Sequence, residues 1–174
     1  QPLKINDRHA TKKDYLESSL NGALKFKPLV DRVLKMYASE YPDIQRYPTV
    51  DTDFIIALIG QESGGRNICS PKAACGLFQY IPSASREEGL KVTKYIDDRN
   101  DPERAARAAI KRIILSTIKF QSAEFAAASY NAGYVKLPDV EERPWIFDFW
   151  NERHRYREET RKYVPEILAR RRAL

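Results

Sequence analysis

Hydrophobic positions along the chain recur at three-to-four spacing far more often than at two. Leu29, Val30, Val33, Leu34 and Tyr37 form one such stripe, which predicts an amphipathic helix over Pro28 to Tyr41 with Pro42 ending it. After a Pro-bearing loop to Val50, Asp51 or Asp53 caps a helix that runs through Phe54-Ile55-Ile56-Ala57-Leu58-Ile59 to Glu62 and stops at Gly64-Gly65. Asp101-Pro102-Glu103 supplies a cap, a first-turn proline and an acid near the positive end of the helix dipole, so a helix starts there, with Ala106, Ala109, Ile110, Ile113, Ile114 and Ile118 as its apolar stripe. Ser122 opens an alanine-rich helix ending at Gly133. Thr160 to Arg172 reads as a basic amphipathic helix whose Pro165 fits only a first turn or a kink.

Between these helices the pattern weakens. Residues 1–27 read as a polar amino-terminal arm with one short helix around Asp14 to Leu20, and residues 28–174 as the main domain. Residues 66–82 read as irregular, with a short helix over Gly76 to Tyr80 closed by Pro82, and from Pro144 aromatic and charged residues alternate. Strand-like alternation is missing, as are hairpin dipeptides apart from Asn21-Gly22, so the fold class is mostly α. No internal repeat or low-complexity segment is visible.

Composition narrows the chemistry. The 174 residues carry enough apolar surface (43%) for a real core, and no stretch approaches the length of a membrane-spanning helix. His9 and His154 are the two histidines and Cys69 and Cys75 the two cysteines, too few ligands for most zinc, haem or iron–sulfur schemes. No metal or cofactor is expected, and catalysis must lean on carboxylates, hydroxyls and amides. The cysteines enclose five residues, a spacing that a loop bridges as a disulfide in an oxidising compartment; two free thiols are the alternative. The chain starts at Gln1 without a basic-then-apolar leader, which suggests a processed amino terminus.

Glu62 is the most informative residue. Ile55, Ile59 and Glu62 lie four and three apart, so the carboxylate shares the apolar face of its helix. An acid held against hydrocarbon has a raised pKa, as a general acid near neutral pH requires. The alternative is a frayed helix end looking at water.

The residues around it favour function. Glu62-Ser63 is followed by Ser70-Pro71, Gly76-Leu77-Phe78-Gln79, then Ser129-Tyr130-Asn131-Ala132-Gly133 and Glu159-Thr160-Arg161-Lys162-Tyr163-Val164. In this order they resemble the catalytic domain of the soluble lytic transglycosylases, relatives of goose-type lysozyme that cleave the glycan strands of peptidoglycan. The resemblance spans about Asp51 to Leu168 and implies a lysozyme-like fold with an amino-terminal extension, and cleavage of the β-1,4 bond between N-acetylmuramic acid and N-acetylglucosamine. It implies Glu62 as the single acid and base, with the muramic 6-hydroxyl or water as acceptor, giving a 1,6-anhydro end or hydrolysis.

It further implies Ser63 near the acid and Ser70 facing the acetamido group or the attacking hydroxyl. Gln79 lines the cleft from below, Tyr130 and Asn131 supply a stacking face and an amide, and Tyr163 points its phenol at the acid or at the substituent of the central sugar. Capping or core packing would account for each of these without chemistry. Phe78 stands where the family has Met, Cys75 where it often has Arg, and the stretch from Ser63 to Ser70 is one residue short. A Cys69–Cys75 disulfide would pin the loop carrying Ser70 beside Gln79 and mark an exported, periplasmic or cell-envelope protein. Asp97 and Asp98 are the candidates for a second acid across the sugar.

Residues 153–174 hold eight Lys plus Arg and three Glu, most of the net +6. Such a helix suits an anionic envelope polymer or, more simply, a solvated face. The partner expected is the peptidoglycan strand, met by a monomer and without nucleic acid. The rival readings are a non-catalytic peptidoglycan-binding scaffold of the same fold and a basic helical nucleic-acid-binding module.

Overall fold

The computed structural model describes residues 12–133 and 148–174, side chains from Asp14 onward. Eight α-helices lie among the described residues: α1 (Lys12–Leu24), α2 (Lys27–Glu40), α3 (Thr52–Glu62), α4 (Pro82–Glu87), α5 (Pro102–Phe120), α6 (Ala123–Ala132), α7 (Phe149–Glu152) and α8 (Glu158–Arg172). The described residues form isolated β-bridges and no strands, in line with the mostly α reading. His9 and the segment Pro144 to Phe147 lie outside the described residues.

The buried heart is α3. Phe54 to Gly60 are all inside, because α1, α2 and α8 surround the helix. Asp51 caps it, accepting from the Phe54 N–H at 2.8 Å, while Asp53 pairs with Lys27 at the surface. Asp101 and Ser122 cap α5 and α6 as their sequence positions predict. α8 runs antiparallel to α3 and is tied to it along its length: Gln61 donates to Glu166 at 3.0 Å, and Arg171 grips Asp51 through two bonds of 3.0 and 2.6 Å. Arg170 is 1% exposed and donates to Ser19 on α1. Two of the cations that the sequence pattern assigns to a solvated face thus clamp the core, leaving Arg161, Lys162 and Arg172 outward.

α1, drawn from the amino-terminal arm, crosses the end of α3 and buries Leu20 and Ala23. The crossing is backbone on backbone: a Cβ on Gly65 (φ +71°) would sit 2.0 Å from the Gly22 carbonyl oxygen. One local expectation is corrected. Pro82 opens α4 instead of closing a helix, since residues 76–79 make a tight turn and proline suits a first helical turn. Pro165 lies inside α8, beyond its first turn, and the helix continues past it to Arg172, packed on α3.

Candidate active site

Glu62 is the last residue of α3 and borders an open cleft of about 520 Å³, whose walls also include Phe78, Gln79, Tyr130, Asn131 and Arg112. Tyr163, in the second turn of α8, donates its phenolic O–H to Glu62 Oε1. Burial pushes the carboxyl up to about 7; the tyrosine bond pulls it down and the Glu159 carboxylate adds to the rise. The carboxyl also sits at the negative end of the α3 dipole, which acts in the same direction as burial. Tyr163 itself is held far above the usual phenol range by its own burial and by Glu62.

Of the two targets that the resemblance implies for the Tyr163 phenol, the structure has it on the acid; the sequence gives Glu159 no role. Glu159 lies four residues before Tyr163, hence on the same side of α8. It accepts from Asn131 Nδ2 at 3.3 Å, and Thr160 donates to Asn131 Oδ1 at 2.7 Å. Asn131 is thereby locked from both ends of its amide at the cleft edge. The signal was present in the Glu159 to Val164 motif, read only for its tyrosine.

Gln79 has a left-handed backbone (φ 48°), and its side-chain amide donates to the Ile68 and Gly76 carbonyls at 2.9 and 2.8 Å. Both acceptors are carbonyl oxygens, which fixes the amide nitrogen toward the backbone and leaves the oxygen as the group Gln79 can offer a ligand. Tyr130 lines the cleft with its ring, but its hydroxyl is spent on the Phe78 carbonyl at 3.0 Å and the Arg112 guanidinium covers the ring at 5.5 Å. Phe78 is 1% exposed, a floor residue of the core more than of the cleft surface.

Cys69 and Cys75 form a disulfide that closes the loop around Ser70. Arg99 braces the same loop from below, donating to the Ala73 and Tyr80 carbonyls at 2.6 and 3.1 Å, and Gly76 (φ +82°) is required because a Cβ would meet the Arg99 carbonyl at 1.8 Å. The structure does not bring every candidate to the cleft. Ser63 donates to the Ile59 carbonyl at 3.3 Å and finishes α3 without bonding Glu62. Ser70 accepts from the Ala74 N–H at 3.2 Å and shapes the disulfide loop. Asp97 is held by two bonds from Arg99, which keep its carboxyl below the usual range, and Asp98 accepts from the Lys91 N–H and Arg104. Both aspartates are spent in the framework, and neither borders the cleft.

The family model described as the transglycosylase SLT domain matches residues 43–151, more than half of the chain. The chain belongs to that family. Its fold is accordingly lysozyme-like, as the ordered motifs imply. Among curated relatives, the membrane-bound lytic murein transglycosylase D of Escherichia coli K12 is 32% identical over 101 residues, which cover 55% of this chain and 22% of the relative. The protein of the same name from Escherichia coli O6:H1 strain CFT073 gives the same figures. The chain thus spans less than a quarter of the length of these relatives. The matched family segment contains Glu62, Gln79, Tyr130 and Asn131 and ends before α8, so the Tyr163 contact is supplied by a helix beyond the match. Among the described residues no helix is long and apolar enough to cross a membrane.

Proposed function

We propose that the protein is an enzyme of the bacterial envelope that cleaves the β-1,4 bond between N-acetylmuramic acid and N-acetylglucosamine in peptidoglycan, with Glu62 as its acid and base. The observation that carries this reading is the Glu62 carboxyl itself: one acid at the end of a buried helix, open to a cleft, tethered by a phenol and raised to about 7. Protonated, Glu62 gives its proton to the glycosidic oxygen as the C1–O bond breaks. The acetamido oxygen of the same sugar closes on C1 and carries the positive charge, so no second protein carboxylate is needed. Glu62, now a carboxylate, takes the proton of the muramic 6-hydroxyl as that oxygen bonds C1 and the bond from C1 to the acetamido oxygen breaks, which restores the neutral acetamido group. The products are a 1,6-anhydro end, a free 4-hydroxyl and a reprotonated Glu62. Water in place of the 6-hydroxyl gives hydrolysis by the same proton traffic.

Tyr163 steadies the carboxylate stage of the cycle. Gln79 offers an acceptor and Asn131 a fixed amide to the sugars, while Ser63, Ser70, Asp97 and Asp98 act through the framework. The disulfide beside the cleft and the lytic transglycosylase names of the relatives support an exported, envelope location and a peptidoglycan partner for a monomeric domain formed by residues 28–174 with α1 braced against it. Incubating purified sacculi with the protein and weighing the soluble products by mass spectrometry tests the proposal. Anhydro-ended muropeptides are expected; products one water heavier assign hydrolysis, and sacculi left intact refute both.

A further inference from the structure

One charged side chain in the cleft wall plays no part in the proton traffic above. Arg112, from the middle of α5, is 6% exposed and borders the same cleft as Glu62. Its guanidinium meets Glu88 at 3.4 Å and lies over the Tyr130 ring, and the Tyr130 phenol feels the charges of both Glu62 and Arg112. Acid, tyrosine and cation therefore line one cleft. Desolvating a guanidinium is costly, and a contact whose sole task was to fasten α4 to α5 would be served as well by apolar residues. At a cleft wall a guanidinium offers five N–H donors and no acceptor, so what it recognises is a ligand oxygen.

The two sugars of peptidoglycan differ in a single substituent, the 3-O-lactyl group of muramic acid, which brings a carbonyl or carboxylate oxygen. Resting on the glycosidase reading, we infer that Arg112 is the specificity residue that donates to the lactyl oxygen of the muramic acid beside the scissile bond. The cleft then distinguishes muramyl strands from polymers of glucosamine alone. The other charges at this end of the cleft are Glu87, Glu88 and, beyond Glu88, Lys111. Glu88 balances the Arg112 charge and Glu87 adds a negative one, so a neutral lactyl amide, as in a strand that carries its peptides, binds at least as well as a free carboxylate.

Protein carrying Glu62→Gln binds without turnover and suits calorimetric titration with three tetrasaccharides: a peptide-bearing muramyl strand, the same strand stripped of peptide, and chitotetraose. The peptide-bearing strand is expected to bind at least tenfold more tightly than chitotetraose. Adding Arg112→Met brings both muramyl ligands to within about twofold of chitotetraose, the scale of one lost charge-assisted hydrogen bond, and leaves chitotetraose binding where it was. Equal affinity for muramyl and chito ligands in the protein with Arg112 intact overturns the inference without any change at that position. Loss of all ligands by a common factor does so too, since that is the mark of a purely structural clamp. A stripped strand that outbinds the peptide-bearing one tenfold overturns the neutral-acceptor assignment. Arg112→Lys keeps charge and stem should the methionine variant melt; it is expected to lose part of the selectivity, and full selectivity counts against the inference. Release of muropeptides from sacculi by the unaltered protein is unaffected by any of these results, so failure here is distinguishable from failure of the glycosidase reading.

Discussion

The acid–tyrosine contact sets the chemistry at the scale of single residues. Folding raises the Glu62 carboxyl from 4.5 to about 7, so the native state holds that proton more tightly than the unfolded chain. The resulting stabilisation is full below pH 4.5 and is lost as pH rises through 7. Glu62→Gln removes the charge that burial opposes, and the variant is expected to be more stable than the parent at pH 8 by about 1–3 kcal/mol, with the difference closing by pH 4. Urea unfolding at the two pH values measures it. Activity of a general acid falls on the alkaline side of its pKa, and two neighbours move that limb in opposite directions. Tyr163→Phe deletes a bond that favours the carboxylate and shifts the limb to higher pH; Glu159→Gln deletes a repelling charge and shifts it lower. A pH–rate series on each variant shows the sign, and movement in the same direction would contradict the arrangement. The apolar helix face of Glu62 was legible from periodicity, whereas its reading as the acid leaned on the motifs around it. Glu159 and Arg112 were not legible, because their partners Asn131 and Glu88 lie 28 and 24 residues away along the chain; Ser63 and Ser70 bond backbone groups four residues away, a local role that the sequence leaves open beside one in the cleft.

Among the elements, α3 is positioned by neighbours that leave little tolerance. Gly65 turns the chain directly under α1, and Gly65→Ala must displace that helix or strain a left-handed backbone. A loss of about 2 kcal/mol or more is expected by chemical denaturation, whereas Gly89→Ala, at a site with φ +77° and open space around it, carries the backbone strain alone and should cost less. The Cys69–Cys75 bridge closes a short loop, and its reduction is expected to cost about 2 kcal/mol by loop entropy and to lower activity by loosening Gln79. A thermal melt with and without reductant, beside turnover of sacculi, follows both effects. Caps at Asp101 and Ser122 and the stop at Gly133 could be read directly, since capping is local chemistry, while Asp51 and Asp53 both remained open as the cap of α3. The start of α4 at Pro82 could not be read, because a proline can stand after one helix or in the first turn of the next, and the local pattern does not say which.

For the whole molecule, the antiparallel α3–α8 pair joins the two ends of the motif order. Glu62 and Tyr163 stand 101 residues apart and meet because Arg171 grips Asp51 at the far end and Gln61 meets Glu166 near the acid. The family match stops short of α8, yet α8 supplies the phenol on the acid and, in Glu159, a carboxylate that adds to the rise caused by burial. The net positive charge is accordingly divided: Arg170 and Arg171 build the fold, while Arg161, Lys162 and Arg172 stay exposed on α8. The most direct test of this account replaces Glu62 by Gln, confirms an unchanged helical circular dichroism spectrum, and measures release of soluble muropeptides from sacculi. Release is predicted to fall at least a hundredfold while the variant still sediments with the sacculi; turnover within a few fold of the parent would contradict the central claim.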